Sequence, residues 1–139
     1  MTILDTSILS AAFRRRRVGV PEPPEVERLR RMIQEDEPVA IPGIALQEIL
    51  SGVRTDAESE RLLGLVEGFP LLLALRVHHL EAARIANACR RAGIATSATD
   101  CLIAAQTIAE RGRLFTLDQD FARMAPHCGL QLVPIGTQP

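Results

Sequence analysis

Short runs of apolar residues alternate along the chain with longer stretches whose apolar positions recur at helical spacing. The runs predict strands at residues 3–4, 38–42, 71–75, 114–117 and 130–135. The stretches between them predict helices at 8–13, 26–33, 46–53, 58–66, 79–91, 100–110 and 119–124. Because the strands alternate with helices and no hairpin signal separates them, the pattern predicts an α/β fold with a parallel sheet and helices on both faces.

The amount of apolar sequence fits a single core. The chain has 139 residues, of which 47% are hydrophobic, and this favours one compact domain over residues 1–139. The helix at 100–110 is apolar almost all round and is expected at the centre. No apolar stretch approaches the ~20 residues needed to cross a bilayer, and no signal peptide is visible. We therefore expect a cytoplasmic protein that does not enter a membrane.

Charge and composition restrict the possible chemistry. The net charge is −1, so any contact with nucleic acid has to be local. The chain has no lysine, which excludes Schiff-base chemistry and a Walker-type lysine. Four consecutive arginines, Arg14, Arg15, Arg16 and Arg17, are candidates for binding an RNA phosphate backbone. A solvated loop explains the same run equally well.

Four acidic residues lie at or near the carboxyl ends of predicted parallel strands, where functional groups collect in α/β proteins. Asp5 and Asp118 follow predicted strands, Asp100 opens the buried helix, and Glu48 points away from the apolar side of its helix. Taken singly, the aspartates are adequate helix caps and Glu48 is an ordinary exposed residue. Taken together, carboxylates about 5 Å apart repel by roughly 3 kcal/mol at an effective dielectric near 20. Such a crevice requires a cation or raised pKa values to offset that repulsion, and ligands that are all oxygen favour Mg²⁺ or Mn²⁺.

A divalent ion in a carboxylate cluster suits the hydrolysis of phosphodiesters, because it activates water and stabilises the leaving oxygen. No serine, cysteine or histidine nucleophile is then needed. The hydroxyls of Thr6, Ser7 and Thr116 lie beside the acids in sequence. They are suited to orient the attacking water or an outer-shell ligand of the metal, and equally suited to cap helices.

Four stretches of the sequence resemble the PIN-domain ribonucleases, in particular the VapC-type toxins of bacterial toxin–antitoxin pairs. They are ILDTSIL at 3–9, IPGIALQEILSG at 41–52, ATDCLIAA at 98–105 and LFTLDQDF at 114–121, and they occur in the family's order. The resemblance implies a catalytic acidic quartet of Asp5, Glu48, Asp100 and Asp118, in which the three aspartates bind Mg²⁺ or Mn²⁺. It also implies supporting roles for Thr6, Thr116 and Asp120.

The resemblance further implies a PIN domain with five parallel strands in the order 3-2-1-4-5. It implies a metal-dependent endoribonuclease that acts as a toxin and forms a homodimer. Its partner would be a VapB-type antitoxin whose C-terminal segment occupies the acidic groove.

Two other functions are compatible with a strand that ends in an aspartate. A haloacid-dehalogenase-type phosphatase needs an aspartate two residues after the strand-end aspartate and a later lysine. Position 7 is Ser7 and the chain has no lysine, so this interpretation is set aside. The remaining alternative is a non-catalytic PIN-like scaffold that binds RNA or protein, and the intact set of four acids speaks against it.

Overall fold

The computed structural model describes residues 1–14 and 17–135. Its strands are β1 (Thr2–Leu4), β2 (Val39–Pro42), β3 (Leu71–Leu72) and β4 (Arg113–Phe115). Its α-helices are α1 (Thr6–Phe13), α2 (Pro24–Gln34), α3 (Gly43–Ser51), α4 (Asp56–Val66), α5 (Arg76–Arg91), α6 (Ala98–Ala109) and α7 (Gln119–Met124). A short 3₁₀ turn, Ala125–His127, follows α7.

The strands form one parallel sheet in the order β3-β2-β1-β4. In the centre of the sheet, Ile3 pairs with Ala40 on one side and with Leu114 on the other. Every residue of β1 and β2 is buried. Because successive residues of a strand face opposite sides, both faces of these central strands are covered. The predicted α/β class with a parallel sheet is therefore confirmed.

The expected number of five strands is wrong, because the described residues form four. The segment expected as the fifth strand makes only an isolated parallel bridge between Leu132 and Leu114. In this bridge Leu114 N donates to Gln131 O at 2.9 Å, and Val133 N donates to Leu114 O at 2.9 Å. Pro134 follows directly and has no N–H with which to continue the ladder. The segment does lie beside β4, at the end of the predicted strand order.

The helix α6 occupies the centre of the molecule, as its sequence predicts. Six of its residues from Cys101 to Thr107 are buried, and α5 packs along it. Cys89 on α5 and Cys101 on α6 are both buried and free. None of the helices in the described part of the chain is both long and apolar enough to span a membrane.

The parallel sheet brings the ends of several strands to one edge. Asp5 follows β1 directly, α3 begins directly after β2, and Asp118 lies three residues beyond β4. Asp5 N donates to Phe115 O at 3.1 Å, so the first and fourth strands stay paired up to this edge. The edge therefore collects side chains from distant parts of the sequence.

Candidate functional site

Asp5 is a buried carboxylate at the centre of this edge. It caps the N-terminus of α1, and only 4% of its surface is exposed. Its Oδ2 accepts hydrogen bonds from Ser7 Oγ at 2.7 Å and from Thr116 Oγ1 at 2.6 Å. Ser7 N lies farther away, at 3.4 Å. These hydrogen bonds all reach Oδ2, and none of them involves Oδ1.

Thr116 connects Asp5 with Asp118. Its Oγ1 accepts a hydrogen bond from Asp118 N at 3.0 Å while it donates to Asp5. Asp118 in turn caps α7, and its Oδ1 accepts from Asp120 N at 2.9 Å. Asp118 is therefore a helix cap, as the alternative interpretation of its sequence position predicted. Capping uses only Oδ1, one of its two carboxylate oxygens.

Three carboxylates converge at this edge. One oxygen each from Asp100, Asp118 and Asp120 lie within 4.8 Å of one another. Asp100 is half-buried in the first turn of α6, while Asp118 and Asp120 are exposed. Asp120 also forms an ion pair with Arg123 one turn later on α7. The cluster thus joins the start of α6 to the start of α7.

The pKa of the Asp100 carboxyl is raised to about 6. Burial is the largest cause, followed by the negative charges of Asp118 and Asp5. A hydrogen bond with Ser97 opposes the rise, and Glu48 adds a smaller contribution to it. The other three members of the acidic quartet are therefore each close enough to act on Asp100.

Glu48 lies on the exposed side of α3, as its position in the sequence predicts. Thr6 Oγ1 donates a hydrogen bond of 2.8 Å to Glu48 Oε1. This bond holds the side chain toward the start of α1, where Asp5 is located. Glu48 stands outside the group of three converging oxygens, although its charge reaches Asp100.

The chemistry of the donors fits a hard divalent cation. The three described residues of the cluster are all aspartates, so the atoms that they offer to a cation are all carboxylate oxygens. Oxygen ligands favour Mg²⁺ or Mn²⁺ over zinc. Burial and the negative charges of Asp118 and Asp5 raise the pKa of Asp100, and a bound cation would offset both effects.

The structure and the sequence prediction differ in how the acids are grouped. Of the three predicted metal ligands, Asp100 and Asp118 lie together, while Asp5 contacts the group through Thr116. The third converging oxygen belongs to Asp120, which the resemblance gave only a supporting role. Ser7, left open as either a cap or an orienting group, is hydrogen-bonded to Asp5. The spacing Asp118-Gln119-Asp120 was the available signal for the second acid.

The run of arginines is only partly covered by the structure. Arg14 and Arg17 are exposed. Arg15 and Arg16 lie outside the described residues. RNA binding by Arg14–Arg17 stays a prediction.

Comparison with known proteins gives concordant matches. The family model of the PIN domain matches residues 2–126. The chain is 36% identical over 133 residues to "VapC ribonuclease Mb1587" of Mycobacterium bovis and to "Ribonuclease VapC11" of Mycobacterium tuberculosis. In both cases the match covers 94% of this chain and 96% of the relative.

Solved structures share the fold at lower sequence identity. VapBC2 from Rickettsia felis, bound to a DNA fragment from its promoter, gives a TM-score of 0.75 at 19% identity, covering 95% of this chain and 96% of that one. FitAcB from Neisseria gonorrhoeae gives 0.71 at 19% identity, covering 96% and 97%. At this level of identity the likeness is one of fold.

Proposed function

Because this chain belongs to the PIN-domain family, we propose that it is a metal-dependent endoribonuclease of the VapC type, the toxin of a toxin–antitoxin pair. The observation that carries the proposal is the convergence of Asp100, Asp118 and Asp120 at the sheet edge. The extent of the match to relatives named as VapC ribonucleases supports it, since it covers 94% of the chain.

The residues that would hold Mg²⁺ or Mn²⁺ are Asp100 and Asp118, with Asp5 and Asp120 completing the acidic site. When bound, the ion polarises the phosphodiester and stabilises negative charge on the leaving oxygen. The pKa of Asp100 is raised to about 6, so this carboxyl holds its proton to a higher pH than an ordinary aspartate does. It should therefore bind the cation better above that pH than below it.

The other side chains of the site orient groups around this centre. Thr116 holds Asp5 on one side and the backbone of Asp118 on the other. Thr6 fixes one oxygen of Glu48, so the second oxygen, Oε2, is available to hydrogen-bond water. We assign Glu48 the role of orienting the attacking water toward the phosphorus. Attack by water on the phosphorus, with cleavage of the bond from phosphorus to the 3′-oxygen, leaves a 5′-phosphate on one fragment and a 3′-hydroxyl on the other.

The proposed partners follow from the family and from the exposed acids. Asp118 and Asp120 are open to solvent, and a basic segment of a VapB-type antitoxin is suited to cover them. The structure of VapBC2 from Rickettsia felis, which has this fold, supports a partner of that kind. We also propose a homodimer in the cytoplasm.

Cleavage of total RNA by the purified protein tests the proposed activity. Cleavage should occur with Mg²⁺ or Mn²⁺, stop with EDTA, and fall about 100-fold or more in Asp100→Asn. Asp56→Asn replaces an exposed aspartate on α4 and should leave the activity unchanged. Both variants are purified by the same procedure, which controls for contaminating nuclease.

The ends of the products separate the proposed reaction from its alternatives. Fragments with 5′-phosphate and 3′-hydroxyl ends support hydrolysis by water. Fragments with 2′,3′-cyclic phosphate ends contradict it. RNA binding that persists in EDTA and in Asp100→Asn, without any cleavage, would instead identify a non-catalytic scaffold.

A further inference from the structure

Two hydroxyl groups converge on a single oxygen of Asp5. Ser7 Oγ lies 2.7 Å from Asp5 Oδ2, and Thr116 Oγ1 lies 2.6 Å from the same atom. A hydroxyl has one proton to donate, and an ionised carboxylate has none. Both hydroxyl protons are therefore directed at Oδ2. The 3.2 Å contact between Ser7 Oγ and Thr116 Oγ1 is then a close approach of two oxygens whose protons are already used.

The same two hydroxyl oxygens accept hydrogen bonds from consecutive backbone amides. Leu117 N donates to Ser7 Oγ at 2.9 Å, and Asp118 N donates to Thr116 Oγ1 at 3.0 Å. Each amide therefore reaches Asp5 through a hydroxyl. Chains of hydrogen bonds that end on a charged acceptor polarise one another and are stronger than neutral ones.

Ser7 and Thr116 both join distant parts of the chain, Ser7 through its bond with Leu117 and Thr116 through its bond with Asp5. Thr116 belongs to the same segment as Asp118, so its bond to the Asp118 amide is local. Ser7 lies on α1, and its bond to Leu117 spans 110 positions of the sequence. Loss of the Ser7 hydroxyl would remove one of the side-chain hydrogen bonds that tie the turn between β4 and α7, which carries Asp118, to the start of α1, and would leave the bond between Thr116 and Asp5.

We infer that Ser7 is a positioning residue, which fixes Asp5 and the turn before Asp118 in one arrangement before the cation binds. The two hydroxyls hold Oδ2, which leaves Oδ1 of Asp5 for the cation. The bond between Ser7 and Leu117 holds the turn, and with it the backbone of Asp118, in a fixed position relative to Asp5. The effect on cation binding rests on the proposed function. The link between Ser7 and Leu117 does not, because it is a direct hydrogen bond between two groups of the chain.

A helix-capping role alone would give a different result on substitution. Asp5 caps α1 by accepting from the backbone N–H of Ser7, a contact that does not involve the hydroxyl. Ser7→Ala keeps that N–H and removes only Oγ. If Ser7 merely belonged to a capped helix turn, this variant would bind a cation as the wild type does.

The test measures Mn²⁺ affinity by calorimetry and amide hydrogen exchange in EDTA. In Ser7→Ala we expect about tenfold weaker Mn²⁺ binding and faster exchange of the Leu117 amide. Ser10→Ala makes the same change at an exposed position of the same helix and should alter neither. Ser7→Thr retains the hydroxyl and should restore both values toward the wild type.

Each result has a definite meaning. Wild-type values for Ser7→Ala in either measurement overturn the inference. Absence of Mn²⁺ binding by the wild-type protein contradicts the proposed function, while the exchange of the Leu117 amide still tests the link to Ser7. If Ser7→Ala does not fold, Ser7→Cys replaces it, since a thiol of similar size donates weakly and should also reduce the affinity.

Discussion

At the scale of single residues, Asp100 shows most directly what the acidic site requires. Its carboxyl is half-buried and faces the negative charges of Asp118 and Asp5, and its pKa rises to about 6 from a usual 3.8. Between these two values the folded chain binds more protons than the unfolded chain does. The resulting contribution to stability is fully present below 3.8 and is lost as the pH rises through about 6.

Because ionisation of Asp100 lowers the stability of the folded chain, its removal should stabilise the protein at high pH in EDTA. Asp100→Asn carries no charge, so it should melt at a higher temperature than the wild type at about pH 8. The difference should shrink at about pH 5, where the wild-type carboxyl is mostly protonated. Thermal melting of both proteins at the two pH values checks this. An equal difference in melting temperature at both pH values would show that the pKa of Asp100 is not raised in the folded state.

Glu48 allows cation binding to be separated from catalysis. Because it lies outside the group of three converging oxygens, Glu48→Gln should leave Mn²⁺ affinity nearly unchanged. Because we assign it the orientation of water, the same change should lower kcat for RNA cleavage by about 100-fold. Glu60→Gln, an exposed position on α4, is the matched control. A large loss of affinity in Glu48→Gln would make Glu48 a ligand instead.

Sequence reasoning located these residues better than it grouped them. Strand ends and helix starts fix where the backbone of Asp5, Asp100 and Asp118 lies, which is why the order of motifs sufficed to nominate them. The direction of a side chain in a short helix such as α7 depends on the turn before it. The closeness of Asp120 to Asp100 was therefore not predictable, and the role of Ser7 needed the hydrogen bonds of a folded turn.

At the scale of elements, the turn between α6 and β4 offers a test of how the helix carrying Asp100 is terminated. Arg111 has a φ of +53°, in the left-handed region that glycine occupies at helix ends. Gly112 N donates to Thr107 O at 3.1 Å and closes the turn. A Cβ added at Gly112 would stand 2.7 Å from the backbone oxygen of Met1.

Substitutions at these two positions should have opposite effects on the free energy of unfolding. Arg111→Gly relieves the left-handed strain and should raise it by up to about 1 kcal/mol, part of which the flexibility of the unfolded chain offsets. Arg111→Ala retains the strain and serves as the control. Gly112→Ala should lower stability, because backbone must move to admit the methyl group. Chemical denaturation measures all three, and a stabilising Gly112→Ala would contradict this account of the turn.

The lengths of the strands were the least accurate part of the prediction. The apolar run at 71–75 indicated five strand residues, and only Leu71–Leu72 pair with β2. A run of leucines predicts burial, but it does not show whether the covering surface belongs to the same chain or to a partner. Here Leu73 and Leu75 are 68% and 60% exposed, so the described residues leave most of their surface uncovered. The helix α6, whose burial comes from its own neighbours, was predicted correctly.

At the scale of the whole molecule, these exposed residues bear on the proposed homodimer. Leu73, Leu75, Val77 and Leu80 are each at least 60% exposed and lie in one segment at the start of α5. Clustered apolar exposure of this kind marks surfaces that associate. A homodimer would bury them against a second copy of the chain.

This arrangement predicts that charge on the segment weakens self-association. The double variant Leu75→Asp and Leu80→Asp should sediment as a monomer at concentrations where the wild type is a dimer, with its circular dichroism unchanged. Val20→Asp, at an exposed apolar residue far away in sequence, should remain dimeric. A double variant that dimerises as the wild type does would place the interface elsewhere.

The central claim is that carboxylates from separate parts of the chain form one cation site, and anomalous diffraction from crystals grown with Mn²⁺ tests it most directly. The account predicts an anomalous peak at the edge of the sheet, bound by carboxylate oxygens of Asp100 and Asp118 and absent from crystals of Asp100→Asn. A wild-type crystal with ordered Asp5, Asp100 and Asp118 side chains at saturating Mn²⁺, and no peak among them, would contradict it.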